Sequence, residues 1–192
     1  MRLYPKAYVF KEVIEEGNDK LAPKGITIHY SAGASAESSI EYLRTTDLRY
    51  HFIIARSGKI YQMVSLDGSI SHAGQAEWNG LSPNESHVAI CIASWGRLSK
   101  MGDTYRTWTK KPLGLSQVAY REGVNGKHDF WERATEGQES SLVDLVYWLC
   151  KNLSILPENI CGHDESTSRK IDPGGILSFS MERLRSTACG FL

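Results

Sequence analysis

His87 to Ser94 reads HVAICIAS, apolar almost throughout, a pattern suited to a strand covered on both faces. A chain holding such a strand must build a sheet between two layers. Val88, Ile90 and Ile92 make one bulky face. Ala89, Cys91 and Ala93 make the other, where small side chains leave room for a cleft or, equally, for a closely packed helix. Gly25 to Tyr30 alternates, with Ile26 and Ile28 on one face and Thr27 and His29 on the other, then meets the turn-like Ser31-Ala32-Gly33. Tyr50 to Ala55 predicts another strand, turned through Ser57-Gly58 into a partner at Lys59 to Val64.

The clearest helix spans about Glu136 to Leu153. Thr135 and Gln138 match a capping box, and Leu142, Leu145, Val146, Leu149, Cys150 and Leu153 recur at helical spacing. Shorter helices are predicted near Ser35 to Arg44 and Ser180 to Ser186. Strands and helices mixed in this way predict an α/β fold, a sheet flanked by helices. No repeat, low-complexity tract or linker divides the 192 residues, so one domain is expected over 1–192.

Lys plus Arg and Asp plus Glu number 22 each, so net charge favours neither nucleic acid nor a membrane surface as partner. No apolar run is long enough to span a bilayer, and MRLYPKAYVFKEVIEEGND lacks the apolar core of a signal peptide. The expectation is synthesis as a soluble protein, with delivery by other means if it acts elsewhere. Cys91, Cys150, Cys161 and Cys189 stand at long, irregular spacings without a CxxC pair, so reduced thiols are expected.

Between Arg97 and Lys127 the periodicity fails. Seven basic residues face two acidic ones there, with Tyr105, Trp108 and Tyr120 interleaved. A solvated loop is the simpler expectation and a substrate-binding rim the sharper one.

Among six histidines, His29 differs by ending an apolar strand beside a small-residue turn. His163 and Asp172 lie in the polar segment GHDESTSRKIDPG. Catalytic zinc takes three protein ligands and keeps a position for water, which this trio could supply. Spacing alone is weak ground, because lone histidines are common.

The motifs together carry more. ITIHYSAG, Tyr50-His51-Phe52 before Ser-Gly and a strand, His72-Ala73-Gly74, Asn84-Glu-Ser-His-Val-Ala-Ile-Cys91 and GHDESTSRKIDPG occur in this order. In that order they resemble the zinc-dependent N-acetylmuramoyl-L-alanine amidases, which share a fold with phage amidase-type lysozymes and animal peptidoglycan-recognition proteins. The resemblance covers about 25–185, with 97–127 an unusual insertion. It implies a central mixed sheet, one zinc ion on His29, His163 and Asp172, and bacterial peptidoglycan as partner of a monomeric enzyme. Lys170 falls on the lysine that steadies the developing oxyanion, Tyr50 on a tyrosine beside the zinc water, and His72 on a substrate-cleft histidine. Cys91 stands where many relatives carry a glutamate base, as in the phage-lysozyme branch, which relies on tyrosine. The loop between His163 and Lys170 is one residue shorter than in many relatives.

The resemblance also implies a cell-wall lytic enzyme, such as a phage or prophage lysin or an injected toxin. A non-catalytic peptidoglycan-binding module is the alternative, and a zinc peptidase would need a motif such as HExxH, which is absent. His51, His87 and His128 read as structural or surface residues. Asp164 and Glu165 are too close in sequence to flank a glycosidic bond.

Overall fold

The computed structural model describes residues 2–9, 21–123, 126–188 and 190. Cys189 and most of the N-terminal acidic stretch lie outside them. In chain order the main elements are β1 (Tyr8–Val9), β2 (Gly25–Tyr30), α1 (Ala36–Leu43), β3 (Phe52–Ile54), β4 (Ile60–Gln62), α2 (Pro83–Ser86) and β5 (His87–Ile92). A second group of strands follows: β6 (Arg97–Met101), β7 (Thr104–Arg106), β8 (Pro112–Leu113), β9 (Val118–Glu122) and β10 (His128–Glu132). Then come α3 (Glu136–Leu153), β11 (Ile160–Gly162), α4 (His163–Ser166) and α5 (Met181–Ala188).

Among the described residues the main sheet has the order β1-β4-β3-β5-β2-β11. It is mixed: β5 pairs in parallel with β2 and β3, β11 in parallel with β2, while β3 and β4 are antiparallel. The apolar strand β5 is central, as its composition demands. Its bulky face joins Ile26, Ile28, Phe52 and Ile54 in a core that α3 covers with Leu142, Leu145, Val146 and Leu149. Its small face, with Ala89, Cys91 and Ala93, joins Ile53 and the Ala36, Ile40 and Leu43 stripe of α1. The fold is α/β, a mixed sheet flanked by helices.

Local chemistry fixes the element ends. Thr135 Oγ1 accepts the Gln138 N–H at 3.1 Å, and Gln138 Oε1 accepts the Thr135 N–H at 3.1 Å, so two of the donors that the start of α3 leaves unpaired are met. Ser35 caps α1 by accepting the Ser38 N–H. Gly58, at φ +85°, makes the β3–β4 turn, and any Cβ there would meet the Gly137 carbonyl at 2.7 Å.

The loop expected over 97–127 is corrected. These residues, continuing to Glu132, form a second sheet of order β8-β7-β6-β10-β9, antiparallel throughout. Its strands are two to five residues long, and charged side chains lie on both faces, so no hydrophobic alternation marks them. The sheet is anchored by Trp131, 2% exposed and part of the same core as β2, β5 and α3. A Cβ on Gly174 or Gly175 would meet the Trp131 indole within 2.5 Å, so the segment after Asp172 packs backbone against ring.

Candidate metal centre

His29 is the penultimate residue of β2 and points toward the α1 side of the sheet, the face of Cys91 opposite it in register. His163 opens α4 directly after β11, the strand on the other flank of β2. Asp172 arrives on the loop that follows α4. Its carbonyl accepts the Asp164 N–H at 2.7 Å, while Asp164 Oδ2 accepts the Gly174 N–H at 3.1 Å, which closes the loop on itself. The trio expected to bind metal is therefore brought together, with ligand atoms all within 4.8 Å of one another. The shortened loop does not prevent this.

Hydrogen bonding determines which nitrogens face inward. The Pro83 carbonyl, 3.0 Å from His72 Nε2, can only accept, so that nitrogen carries the proton when the ring is neutral. His72 Nδ1 then accepts from His29 Nε2 at 3.0 Å, leaving His29 Nδ1 without a proton. The Ala73 carbonyl, 3.2 Å from His163 Nε2, imposes the same tautomer on His163. Both Nδ1 lone pairs now face a single oxygen, Asp172 Oδ2, at 2.9 and 3.1 Å. Three lone pairs so placed repel unless a cation lies among them or the rings take up protons. Burial holds the His29 ring below its ordinary pKa; Asp172 opposes this, while the charges of His163 and Lys170 add to it. A metal ion fits this donor set, and two imidazoles with one carboxylate match zinc chemistry.

Asp172 is ionised. Burial alone would raise its pKa, but wherever the rings of His163 and His29 turn a proton toward Oδ2 they hold the carboxyl well below the usual range. Asp164, by contrast, is pushed up to about 7 by burial. Glu165 accepts the Gly162 N–H and pairs with Arg185, a structural task.

The remaining expected residues surround this centre. Tyr50 is half-buried, its ring 5.1 Å from that of His29. Burial, then Cys91 and Asp172, lift its phenol well above the ordinary value, so it carries its proton at neutral pH. Cys91 is fully buried beside it and its thiol is likewise raised by burial. Lys170 is exposed on the Asp172 loop. His72 was expected to line the cleft; it is 4% exposed, with both ring nitrogens engaged inside the protein. Asn84 positions it, its Oδ1 accepting the N–H groups of His72 and Ala73.

His51 and His87 are both fully buried. His51 accepts the Ala89 N–H through Nδ1 and donates from Nε2 to Gly68. His87 pairs with Thr27 at 2.9 Å from the opposite end of β5. Two contributors carried no signal in the sequence. Glu132, 2% exposed, accepts from the Ser94 hydroxyl, the Trp95 N–H and Arg56. Arg56 also donates to the carbonyls of Gly33, Ala34 and Ala93, binding the rim beyond β2 and β5.

A family model described as N-acetylmuramoyl-L-alanine amidase matches residues 19–175. The chain belongs to that family.

Solved structures of the same fold include the amidase AmiD from E. coli, in complex with anhydro-N-acetylmuramic acid-L-Ala-D-gamma-Glu-L-Lys. It is 20% identical, with a TM-score of 0.64 over 86% of this chain and 57% of that one. AmpDh3 from Pseudomonas aeruginosa, in complex with anhydromuramic pentapeptide, is 16% identical with a TM-score of 0.63, over 93% and 64%. The chain thus spans less than two thirds of the length of either. The amidase LysC from Clostridium intestinale is 16% identical with a TM-score of 0.57, over 95% and 97%. No curated protein matches in sequence. No helix among the described residues is long and apolar enough to cross a membrane.

Proposed function

We propose that this family member is a zinc hydrolase. It would cleave the amide between the lactyl group of N-acetylmuramic acid and the L-alanine of the peptidoglycan stem peptide. The observation that carries this reading is the convergence of His29 Nδ1, His163 Nδ1 and Asp172 Oδ2, all without protons, on one point. His29, His163 and Asp172 would hold a zinc ion, which would supply Lewis acidity for the scissile carbonyl and for a bound water. His72 holds His29 in the required tautomer, and Asn84 holds His72. Lys170 places an ammonium where negative charge develops on the carbonyl oxygen. Tyr50, its ring 5.1 Å from that of His29, orients the attacking water or shuttles its proton.

We read 1–192 as one monomeric amidase domain acting on the cell wall after release or delivery, as a lysin or injected toxin does. A non-catalytic binding module is disfavoured because all three ligand positions keep competent side chains.

Digestion of purified peptidoglycan tests the reading. The expected products are stem peptides beginning with L-alanine beside intact glycan strands, formed with zinc and not after chelation. New reducing ends on shortened glycan, or full hydrolysis by metal-free protein, would overturn it.

A further inference from the structure

The proposed chemistry leaves the second sheet without a task, yet this sheet carries the most exposed tryptophan among the described residues to the rim of the metal centre. Trp108 sits at the β7–β8 turn and is 69% exposed. The turn itself is firmly built. Thr107, 2% exposed, accepts the Lys110 and Lys111 N–H groups and bonds the Thr109 hydroxyl at 2.8 Å.

The indole is tethered to the main sheet as well. Its Nε1–H donates to the Ala32 carbonyl at 2.8 Å, three residues beyond His29. At strand rise this lies within about 10 Å of the ligand along the chain. Trp95, on the loop after β5, meets Trp108 edge to face at 6.4 Å and 67°. The Trp95 backbone is held by buried Glu132, which Arg56 in turn fixes. Two indoles from different sheets therefore form a fixed corner where β2 and β5 end.

An indole whose N–H is already satisfied offers an incoming ligand only its ring face. That electron-rich face attracts the outward C–H bonds of a pyranose ring, whose own hydroxyls stay in water. Trp108, exposed on a firmly built turn and backed by the Trp95 ring, is a flat apolar platform held in place. The bond proposed for cleavage joins a sugar to a peptide, so a sugar must lie on one side of the metal centre.

We propose that Trp108, backed by Trp95, is a subsite for the N-acetylated sugars of the glycan strand. It seats the strand beside His29 while the peptide is cut. This subsite rests on the amidase reading, but its test does not require hydrolysis.

Calorimetric titration with a β-1,4-linked N-acetylglucosamine hexamer, which contains no muramoyl–alanine amide, reads the subsite directly. The wild type should bind. Trp108→Ala should weaken binding roughly tenfold, as expected for loss of one stacked ring. Trp108→Phe keeps a ring face without the N–H and should retain most of the affinity. Equal affinity for wild type and Trp108→Ala, or an active enzyme that does not bind the hexamer, overturns the subsite. Hexamer binding lost in Trp108→Ala, in a protein that releases no stem peptide, supports the subsite and overturns the amidase reading instead. The nearby Lys110 and Lys111 define the competing case of an acidic peptide. Binding of poly-glutamate but not of the hexamer at Trp108 overturns the proposal in favour of that partner.

Discussion

His72 and His29 stand in series, and the first ring decides which nitrogen of the second faces Asp172. His72→Ala removes the acceptor for His29 Nε2–H while leaving all three ligands in place. Zinc affinity should fall about 10–100-fold, as for other lost partners of metal-bound histidines. His72→Gln, whose amide oxygen can accept the same proton, should recover part of it. Competition with a chelator measures both, and unchanged affinity in His72→Ala would remove this role. Lys170→Ala should keep its zinc and lose roughly 10²–10³ in turnover. Tyr50→Phe and Cys91→Ser form the informative pair: the first should slow catalysis and the second, buried and protonated, should hardly do so. A fully active Tyr50→Phe beside a dead Cys91→Ser would reverse the assignment. His29, His163 and Asp172, which the structure brings together, could be picked out through the resemblance of the ordered motifs that hold them rather than through their spacing. The His72–His29 bond could not, since it joins residues 43 apart in the chain and leaves no spacing pattern.

At the scale of elements, legibility followed burial. The ends of α3 could be read to the residue because a capping box and an apolar stripe coincide there. Strand β5 could be read because its two faces differ in size. The second sheet was hidden, since the pairing of strands as short as Thr104–Arg106 is specified by backbone bonds and by anchors such as Trp131, not by alternation. Its junction with the main sheet turns on the Arg56–Glu132 pair at 2.9 Å. Arg56→Ala leaves a carboxylate buried with only the Ser94 and Trp95 donors, and should lower stability by about 3 kcal/mol. Urea denaturation measures this. A loss no greater than that of a surface pair, under about 1 kcal/mol, would show the junction is held otherwise.

The whole molecule buries several neutral imidazoles, and this makes its stability depend on pH. His51 and His87 are held down to about 4 by burial, against about 6.5 in the unfolded chain. Their contribution is complete above about pH 6.5 and is lost as pH falls toward 4, about 2 kcal/mol each by pH 5. His29 and His72 are lowered too and carry the same sign. Asp164, raised to about 7, acts oppositely and returns about as much as one histidine withdraws. Between pH 7 and pH 5 the chelated protein should therefore lose at least about 5 °C in melting temperature. A melting temperature that holds or rises over that interval would contradict the balance. A different consequence follows from the distance in sequence between His29 and Asp172, which are 143 residues apart. During synthesis the first ligand leaves the ribosome long before the second, and nothing short of nearly the whole chain can assemble the trio. A nascent chain, or a fragment clipped anywhere between them and separated, cannot bring the three side chains together, so any chemistry that needs all three waits for nearly the whole chain.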